Sequence, residues 1–187
     1  MRLAQPQSAA STPAPPMHIR PLQAADTDAL LAFEAANRRW FEQHVEARAP
    51  EFYTLPGVAL HIASYLDDYR HGRMHPCVLL DHAGAIIGRA NLRHIDAAAG
   101  HAEVGYRIAA DQLGRGLASS ALRHLQELAQ TQWGLKQLHA WVSTENIAST
   151  RVIEKCGFRR VAAMPPQNVI VNQRLSVSLL YECPLAA

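Results

Sequence analysis

The chain has 187 residues, of which 49% are hydrophobic and 18% are charged, and its formal net charge is +2. This balance is typical of one globular domain with a full core, and no apolar run reaches the length of a membrane span. Basic doublets occur only at Arg38-Arg39 and Arg159-Arg160, so we expect no nucleic-acid or membrane partner. The three cysteines lack metal-ligand spacing, and we expect reduced thiols, no metal and a cytoplasmic location.

The beginning of the chain differs from the rest in composition. Residues 1–16 are rich in alanine, proline, serine and glutamine and carry one charge, at Arg2. Such a segment cannot bury enough apolar surface to order itself, and it lacks the apolar region of a secretory signal. We therefore predict a disordered leader over residues 1–16 and a single domain over residues 17–187.

The sequence of the first half of the domain predicts strands and two helices. The alternation of apolar and polar residues, the capping residues and a hairpin turn at residues 81–84 indicate where these elements begin and end. We expect Leu30, Leu31, Phe33 and Ala36 to point inward, and we leave residues 41–56 as a loop or short helix. The predicted elements are a strand at 18–22, a helix from Asp26 to about Trp40, a helix over 58–70, and strands at 78–80 and 85–92.

The second half alternates strands and helices. Asn146 is a natural N-cap and Gly157 a natural helix end. The order predicts an α+β fold with a mixed sheet and one β-α-β unit. The predicted elements are strands at 101–109, 138–142 and 159–164, the final strands within 169–181, and helices over 117–132 and from Asn146 to Gly157.

Two glycines, Gly114 and Gly116, lie just before the amphipathic helix that begins at Leu117. A helix start has free N–H groups and a partial positive charge, and glycine lets a phosphate approach the backbone. This pattern indicates a candidate diphosphate site, with a simple tight turn as the alternative. On the strand before it, Tyr106 and Ile108 share one face, while Glu103 and Arg107 share the other.

Three segments carry a family resemblance: EVGYRI at residues 103–108, GRGLA at 114–118 and ENIASTRVIEKCGF at 145–158. In this order and spacing, residues 17–183 resemble the GNAT acetyltransferase superfamily, and within it the RimJ/RimL-type ribosomal-protein alanine N-acetyltransferases. The resemblance implies a mostly antiparallel, twisted sheet of about six or seven strands with about four helices and one splayed pair of strands. It also implies a monomer or a homodimer.

The resemblance implies acetyl-CoA as the cosubstrate. The coenzyme's diphosphate would lie on the amides of Gly114, Arg115, Gly116, Leu117, Ala118 and Ser119. Pantetheine would lie along Tyr106, Arg107 and Ile108 and touch Asn146. One departure is Leu113, where the superfamily usually has Gln or Arg, so a side-chain contact to phosphate is missing.

The implied chemistry is direct attack of an amine on a thioester. A base must take the amine proton, an N–H must stabilise the oxyanion, and the leaving thiolate gains from a proton donor. By resemblance, Glu103 is the base and Ser149 the donor, because the usual tyrosine position holds Ile153. The alternatives are a structural ion pair for Glu103, a first-turn backbone bond for Ser149, and wall packing for Tyr106.

The sequence says less about the identity of the acceptor amine than about the coenzyme. We expect its pocket to involve Trp40, Phe41, Phe52, Tyr53 and residues 165–172. Residues 172–177 lack the Trp and Asp of RimJ/RimL-type relatives, which weakens transfer of their particular substrate. The hypotheses are acetylation of a protein N-terminal amine, acetylation of a small amine such as an amino acid, polyamine or antibiotic, and a non-catalytic CoA-binding module.

Overall fold

The computed structural model describes residues 17–185, and the predicted leader over residues 1–16 lies outside this range. Its helices are α1 (Thr27–Ala36), α2 (Arg38–Glu42), α3 (Leu55–Arg70), α4 (Leu117–Thr131) and α5 (Ile147–Lys155). Its strands are β1 (His18–Pro21), β2 (His75–Leu80), β3 (Ile86–Asp96), β4 (His101–Ile108), β5 (Gln137–Ser143), β6 (Arg159–Arg160), β7 (Gln167–Val171) and β8 (Arg174–Pro184). Within residues 17–185, no helix has the length and apolar character needed to cross a membrane.

The strands form one sheet in the order β1-β2-β3-β4-β5-β8-β6, and β7 pairs with β8. Every pair is antiparallel except β4 with β5. The predicted α+β fold is confirmed. The predicted strand over 159–164 is only Arg159–Arg160, and the final strands predicted within 169–181 are β7 and β8. With these short strands the sheet has eight strands, one more than the predicted range.

Helices cover both faces of the sheet and bury two apolar clusters. On one face, α4 buries residues four apart, as the period of a helix requires: Leu117, Ala121, Leu125 and Ala129. On the other face, α1, α2 and α3 bury Leu30, Phe33, Phe41, Val58 and Ile62. Since side chains alternate along a strand, β4 directs Val104 and Ile108 toward α4 and Arg107 toward the α1–α3 side.

The predicted helix from Asp26 to Trp40 is two helices. Asp26 does not cap α1 with its side chain. Its carboxylate instead binds Arg20, with an N–O distance of 2.6 Å, and accepts the N–H of Gln23. The helix breaks at Asn37, whose Oδ1 accepts the N–H of Ala110 at 2.9 Å. This bond ties the α1–α2 corner to the segment after β4. The inward prediction for Ala36 is wrong, because that residue is exposed at the break.

The parallel pair is short, and this opens the sheet. β4 and β5 pair only where residues 101–103 meet residues 137–139. Farther along, β4 stays paired with β3 to Ile108, and β5 stays paired with β8 to Ser143. Because each strand keeps its outer partner, the two inner edges separate. The predicted splayed pair is therefore present.

Candidate active site

A cleft of about 800 Å³ lies where β4 and β5 separate. One half is lined by the loop before α4, the separated strands and the start of α5. The other half is lined by the α2 region, α3 and β3. We call these the coenzyme half (residues 106, 108, 112–114, 116–119, 140–143, 146, 148, 149, 152 and 153) and the acceptor half (residues 40, 41, 44–48, 65, 89, 91, 93, 105 and 107).

The loop before α4 exposes a row of unpaired amides. Gly114 and Gly116 have φ values of +74° and +76°, and a Cβ at either position would meet nothing within 4 Å. Gly116 is the N-cap of α4 without a side-chain cap, and the helix begins with a bond from Ser120 N–H to Gly116 O. Among the described residues, nothing accepts from the N–H groups of residues 113–119. A row of free donors at a helix start suits a diphosphate.

The open edge of β4 offers further backbone groups. Ala109 donates its N–H to Ile87 O on β3 at 3.0 Å. Because these groups alternate in direction along a strand, those of Tyr106 and Ile108 point away from β3 into the gap. An extended ligand can pair with this edge as a strand would. Arg107 is different: its backbone faces β3, and its guanidinium donates to Glu34 at 3.1 Å.

Ser149 and Tyr106 meet at the inner end of the coenzyme half. The two hydroxyl oxygens are 2.9 Å apart, and Asn146 Oδ1 accepts the Ser149 N–H at 3.0 Å. Asn146 is thus the N-cap of α5, as predicted, and it also lines the cleft. Burial raises the pKa of Tyr106 to about 12, so this hydroxyl stays protonated and can donate.

Glu103 is not brought to these two hydroxyls. Its carboxylate lies 3.1 Å from Nδ1 of His94 and 3.8 Å from a guanidinium nitrogen of Arg93. Glu103 is on the same sheet face as Arg107 but is not among the cleft-lining residues. Glu46 does line the acceptor half and forms no ion pair within the described chain.

A buried charged cluster lies beneath the acceptor half. Glu34 is 0% exposed and accepts hydrogen bonds from Arg89 and Arg107. Burial alone would raise the pKa of Glu34, but the positive charges of Arg89, Arg107 and Arg48 outweigh it and hold that pKa below its usual value. Sequence reasoning missed Glu34, Arg89 and Arg48 as site residues, and it assigned Arg107 to the coenzyme instead of to this cluster. The available signal was spacing, since Glu34 is four residues after Leu30 and must share its buried helix face.

His61 completes the cluster as a neutral acceptor. Arg89 has only donors, so its Nη2 donates to Nε2 of His61, 2.9 Å away. Burial, followed by the positive charges of Arg89, Arg48 and Arg107, lowers the pKa of His61 to about 2. The ring therefore adds no charge to the acceptor half near neutral pH.

The predicted aromatic lining is partly present. Trp40 and Phe41 line the acceptor half, while Phe52 and Tyr53 lie outside it and meet edge to face, with ring centroids 5.2 Å apart. Residues 165–172 do not line the cleft either. Within residues 17–185, no group of three or more His, Cys, Asp or Glu side chains is arranged to hold a metal ion.

A mixed sheet that opens beside free helix-start amides defines a protein that holds an extended, phosphate-bearing ligand next to a second pocket. The acetyltransferase (GNAT) domain family matches residues 17–159. The chain therefore belongs to this family and is an acetyl-CoA-dependent N-acetyltransferase, so the predicted family, enzyme class and cosubstrate are confirmed.

Individual relatives agree with this assignment. The probable N-acetyltransferase YjcK of Bacillus subtilis is 28% identical over 158 residues, which cover 83% of this chain and 87% of the relative. RimJ of Mycobacterium smegmatis, solved with CoA-disulfide, superposes with a TM-score of 0.82 at 23% identity, over 92% of this chain and 83% of that one. Spermidine N-acetyltransferase of Vibrio cholerae, solved with CoA and spermine, superposes with a TM-score of 0.73 at 20% identity, over 90% of this chain and 95% of that one. At these identities the two structures show the shared fold alone.

Proposed function

We propose that the protein transfers the acetyl group of acetyl-CoA to a primary amine, and that this amine is the N-terminus of a protein. The observation that carries the proposal is the division of the cleft. Free amides and an open strand edge form one half, and a separate side-chain-lined half meets it at Ser149 and Tyr106.

The coenzyme half fits a nucleotide thioester. The amides of residues 114–119 would hold the diphosphate, since they have no other partner among the described residues. The backbone of Tyr106 and Ile108, with Asn146 opposite, would hold the pantetheine arm. The Arg107 side chain is bound to Glu34 and its backbone groups pair with β3, so we do not propose Arg107 as a coenzyme ligand, against the sequence-based expectation. When bound, the coenzyme supplies an activated acetyl thioester.

Ser149 is the proposed proton donor to the leaving thiolate. Its hydroxyl borders the cleft and is oriented by Tyr106, which stays protonated because of its raised pKa. Tyr106 therefore acts as a positioning residue for Ser149. General acid catalysis of this kind contributes roughly a hundredfold or more to rate.

Glu103 remains the proposed acceptor of the amine proton, acting through water, because its carboxylate is on the sheet face that forms the acceptor half. Glu46 is the alternative, because it lines that half and has no ion-pair partner in the described chain. Glu103→Gln and Glu46→Gln distinguish them. The variant whose kcat falls and whose alkaline rate dependence changes identifies the base.

The polyamine alternative is disfavoured by the charges of the acceptor half. Arg48, Arg89, Arg93 and Arg107 all line it, against one lining carboxylate among the described residues, that of Glu46. A polycation would meet repulsion there. An amino acid remains the alternative small-molecule acceptor, because it carries only one amine charge together with a carboxylate.

The deciding experiment is an acetyl-CoA turnover screen that measures free thiol against peptides and small amines, with mass spectrometry of the products. We expect the highest kcat/KM for peptide N-termini and the lowest for spermidine. Ser149→Ala should lower kcat about a hundredfold. Ser64→Ala, an exposed serine on α3, is the matched control and should behave as the native protein does. Turnover on spermidine alone would contradict the proposal.

A further inference from the structure

The acceptor half contains polar atoms without partners. Within residues 17–185, the buried side-chain nitrogen and oxygen atoms that lack a hydrogen bond are Nε of Arg48, Oδ1 of Asn91, Nε of Arg93 and Nε2 of His75. The first three line the same half of the cleft. Buried polar groups in native proteins almost always form hydrogen bonds, so three such atoms without a partner in one pocket indicate that a ligand binds there.

The orphaned groups differ in what they bind. Arg48 and Arg93 can only donate, while Asn91 Oδ1 can only accept. Asn91 and Gly105 are directly paired across β3 and β4, and the Arg93 guanidinium lies over Gly105, 3.6 Å from where a Cβ would be. One acceptor atom, Oδ1 of Asn91, and the Arg93 guanidinium therefore lie on the same face of β3, next to Gly105. Asn91 Oδ1 and the Arg93 guanidinium together could bind a ligand that has an N–H group next to an anionic oxygen.

Of the four arginines that line the acceptor half, Arg48 has the fewest polar contacts with the described residues. Its guanidinium lies over the Phe52 ring, 4.1 Å from the centroid, and it forms no hydrogen bond or ion pair with the described residues. Stacking leaves the edge of a guanidinium free to bind a carboxylate with two parallel hydrogen bonds. Arg93 is partly occupied, because Glu103 lies 3.8 Å from it.

The charge balance of this half favours an anion. Among the described residues, Glu34 is the one carboxylate in the buried cluster, and it faces the guanidinium groups of Arg48, Arg89 and Arg107. His61 is neutral, and Glu46 is an exposed carboxylate outside the cluster. The excess positive charge is therefore uncompensated within the described chain. A carboxylate would neutralise it.

The coenzyme's phosphates do not explain this charge. The free amides lie at the start of α4, and α4 packs on the sheet face opposite to Arg89, Asn91, Arg93 and Arg107. We infer that the acceptor carries a carboxylate close to its reacting amine, held by Arg48 and Arg93 while Asn91 Oδ1 accepts an N–H of that amine. The inference rests on the proposed transfer to a primary amine. The carboxylate belongs either to an acidic residue near a peptide N-terminus or to a free amino acid.

The test uses acceptor pairs that differ only in charge. The peptide pair begins with alanyl-aspartyl or alanyl-asparaginyl, and the small-molecule pair is free alanine and alaninamide. We expect the carboxylate member of one pair to have a kcat/KM at least about tenfold higher, as one charge-assisted hydrogen bond would give. The preferred pair identifies the source. Equal rates within both pairs, or a preference for spermidine, would overturn the inference while leaving amine acetylation intact.

Variants then assign the preference to residues. Arg48→Gln and Arg93→Gln should each reduce the carboxylate-to-carboxamide ratio of kcat/KM about tenfold, mainly through the KM of the carboxylate acceptor. Arg39→Gln, an exposed arginine on α2 outside the cleft, is the matched control and should keep the native ratio. The ratio is measured within one protein sample, so a loss of folded protein cannot imitate the effect.

Coenzyme affinity shows which half of the cleft the two arginines serve. Calorimetry with CoA should give the native Kd for Arg48→Gln and Arg93→Gln. A parallel loss of CoA affinity would show that these arginines bind the coenzyme and would refute the inference. Absence of thiol release with every amine would instead refute the proposed function.

Discussion

The two halves of the cleft differ in the groups that they offer to a ligand. The coenzyme half depends on backbone: two glycines with positive φ, unpaired helix-start amides and an open strand edge. The acceptor half depends on side chains from α1, α3, β3 and β4 that surround the buried carboxylate of Glu34. Backbone recognition suits a ligand common to a family, while side-chain recognition can differ between its members.

Breaking the ion pair under the acceptor half should have the largest effect. Glu34→Gln leaves Arg89, which is 3% exposed, without its charge partner, and we expect a loss of about 3–5 kcal/mol in the free energy of unfolding. Chemical denaturation measures it. The control is Asp68→Asn, which removes a surface pair with Arg73 and should cost less than about 1 kcal/mol. Similar losses in both variants would show that the buried cluster has no special role.

The acceptor half should also determine part of the acid sensitivity. The folded pKa of His61 is about 2, below the ordinary value of 6.5, so between these values the unfolded chain binds more protons. Stability is therefore lost as the pH falls below about 6.5, by about 2 kcal/mol between pH 7 and pH 5 for this residue. His61→Gln keeps an acceptor for Arg89 but cannot titrate. Its unfolding free energy should fall less over this interval, and an unchanged slope would contradict the assignment.

A glycine substitution in the coenzyme half should lower the affinity for CoA, whereas a matched glycine substitution outside the cleft should not. Gly116→Ala places a methyl group beside the free amides, and we expect the Kd for CoA to rise about tenfold, the equivalent of one charge-assisted hydrogen bond. Gly84→Ala is matched, because its φ of +81° and empty surroundings resemble those of Gly116. Both should lose about 1 kcal/mol of stability through backbone strain, but only Gly116→Ala should lose CoA affinity. Equal CoA affinities would argue against the amide site.

The smallest expected effect lies where the two halves meet. Tyr106→Phe removes one hydrogen bond to Ser149, and a bond between neutral groups contributes about 1 kcal/mol. We expect kcat to fall about fivefold with KM nearly unchanged, much less than the loss for Ser149→Ala. Steady-state kinetics compare the two. A larger loss for Tyr106→Phe would make the tyrosine, and not the serine, the proton donor.

Local signals predicted the helix starts that border the coenzyme half. Gly116 as the start of α4 and Asn146 as the cap of α5 depend on a few neighbouring residues, and both are confirmed. The break at Asn37 was not predictable from its neighbours, because the side chain also bonds Ala110, which is 73 residues away. The contact of Tyr106 with Ser149 likewise joins residues 43 positions apart. The role of Glu103 as the base is a prediction, and Glu103→Gln tests it.

The sequence by itself determined the period of the helices, the glycine-rich loop, the caps and the motif order that indicate an acetyl-CoA-dependent transferase. These depend on backbone preferences and short-range spacing, which a linear chain carries directly. Only the tertiary structure decided that Glu34, Arg89, Arg107 and His61 form one cluster, and that Arg48, Asn91 and Arg93 present unpartnered atoms to one pocket. Burial and charge pairing depend on distances across the fold, and these exist only once α1, α3 and the sheet have packed.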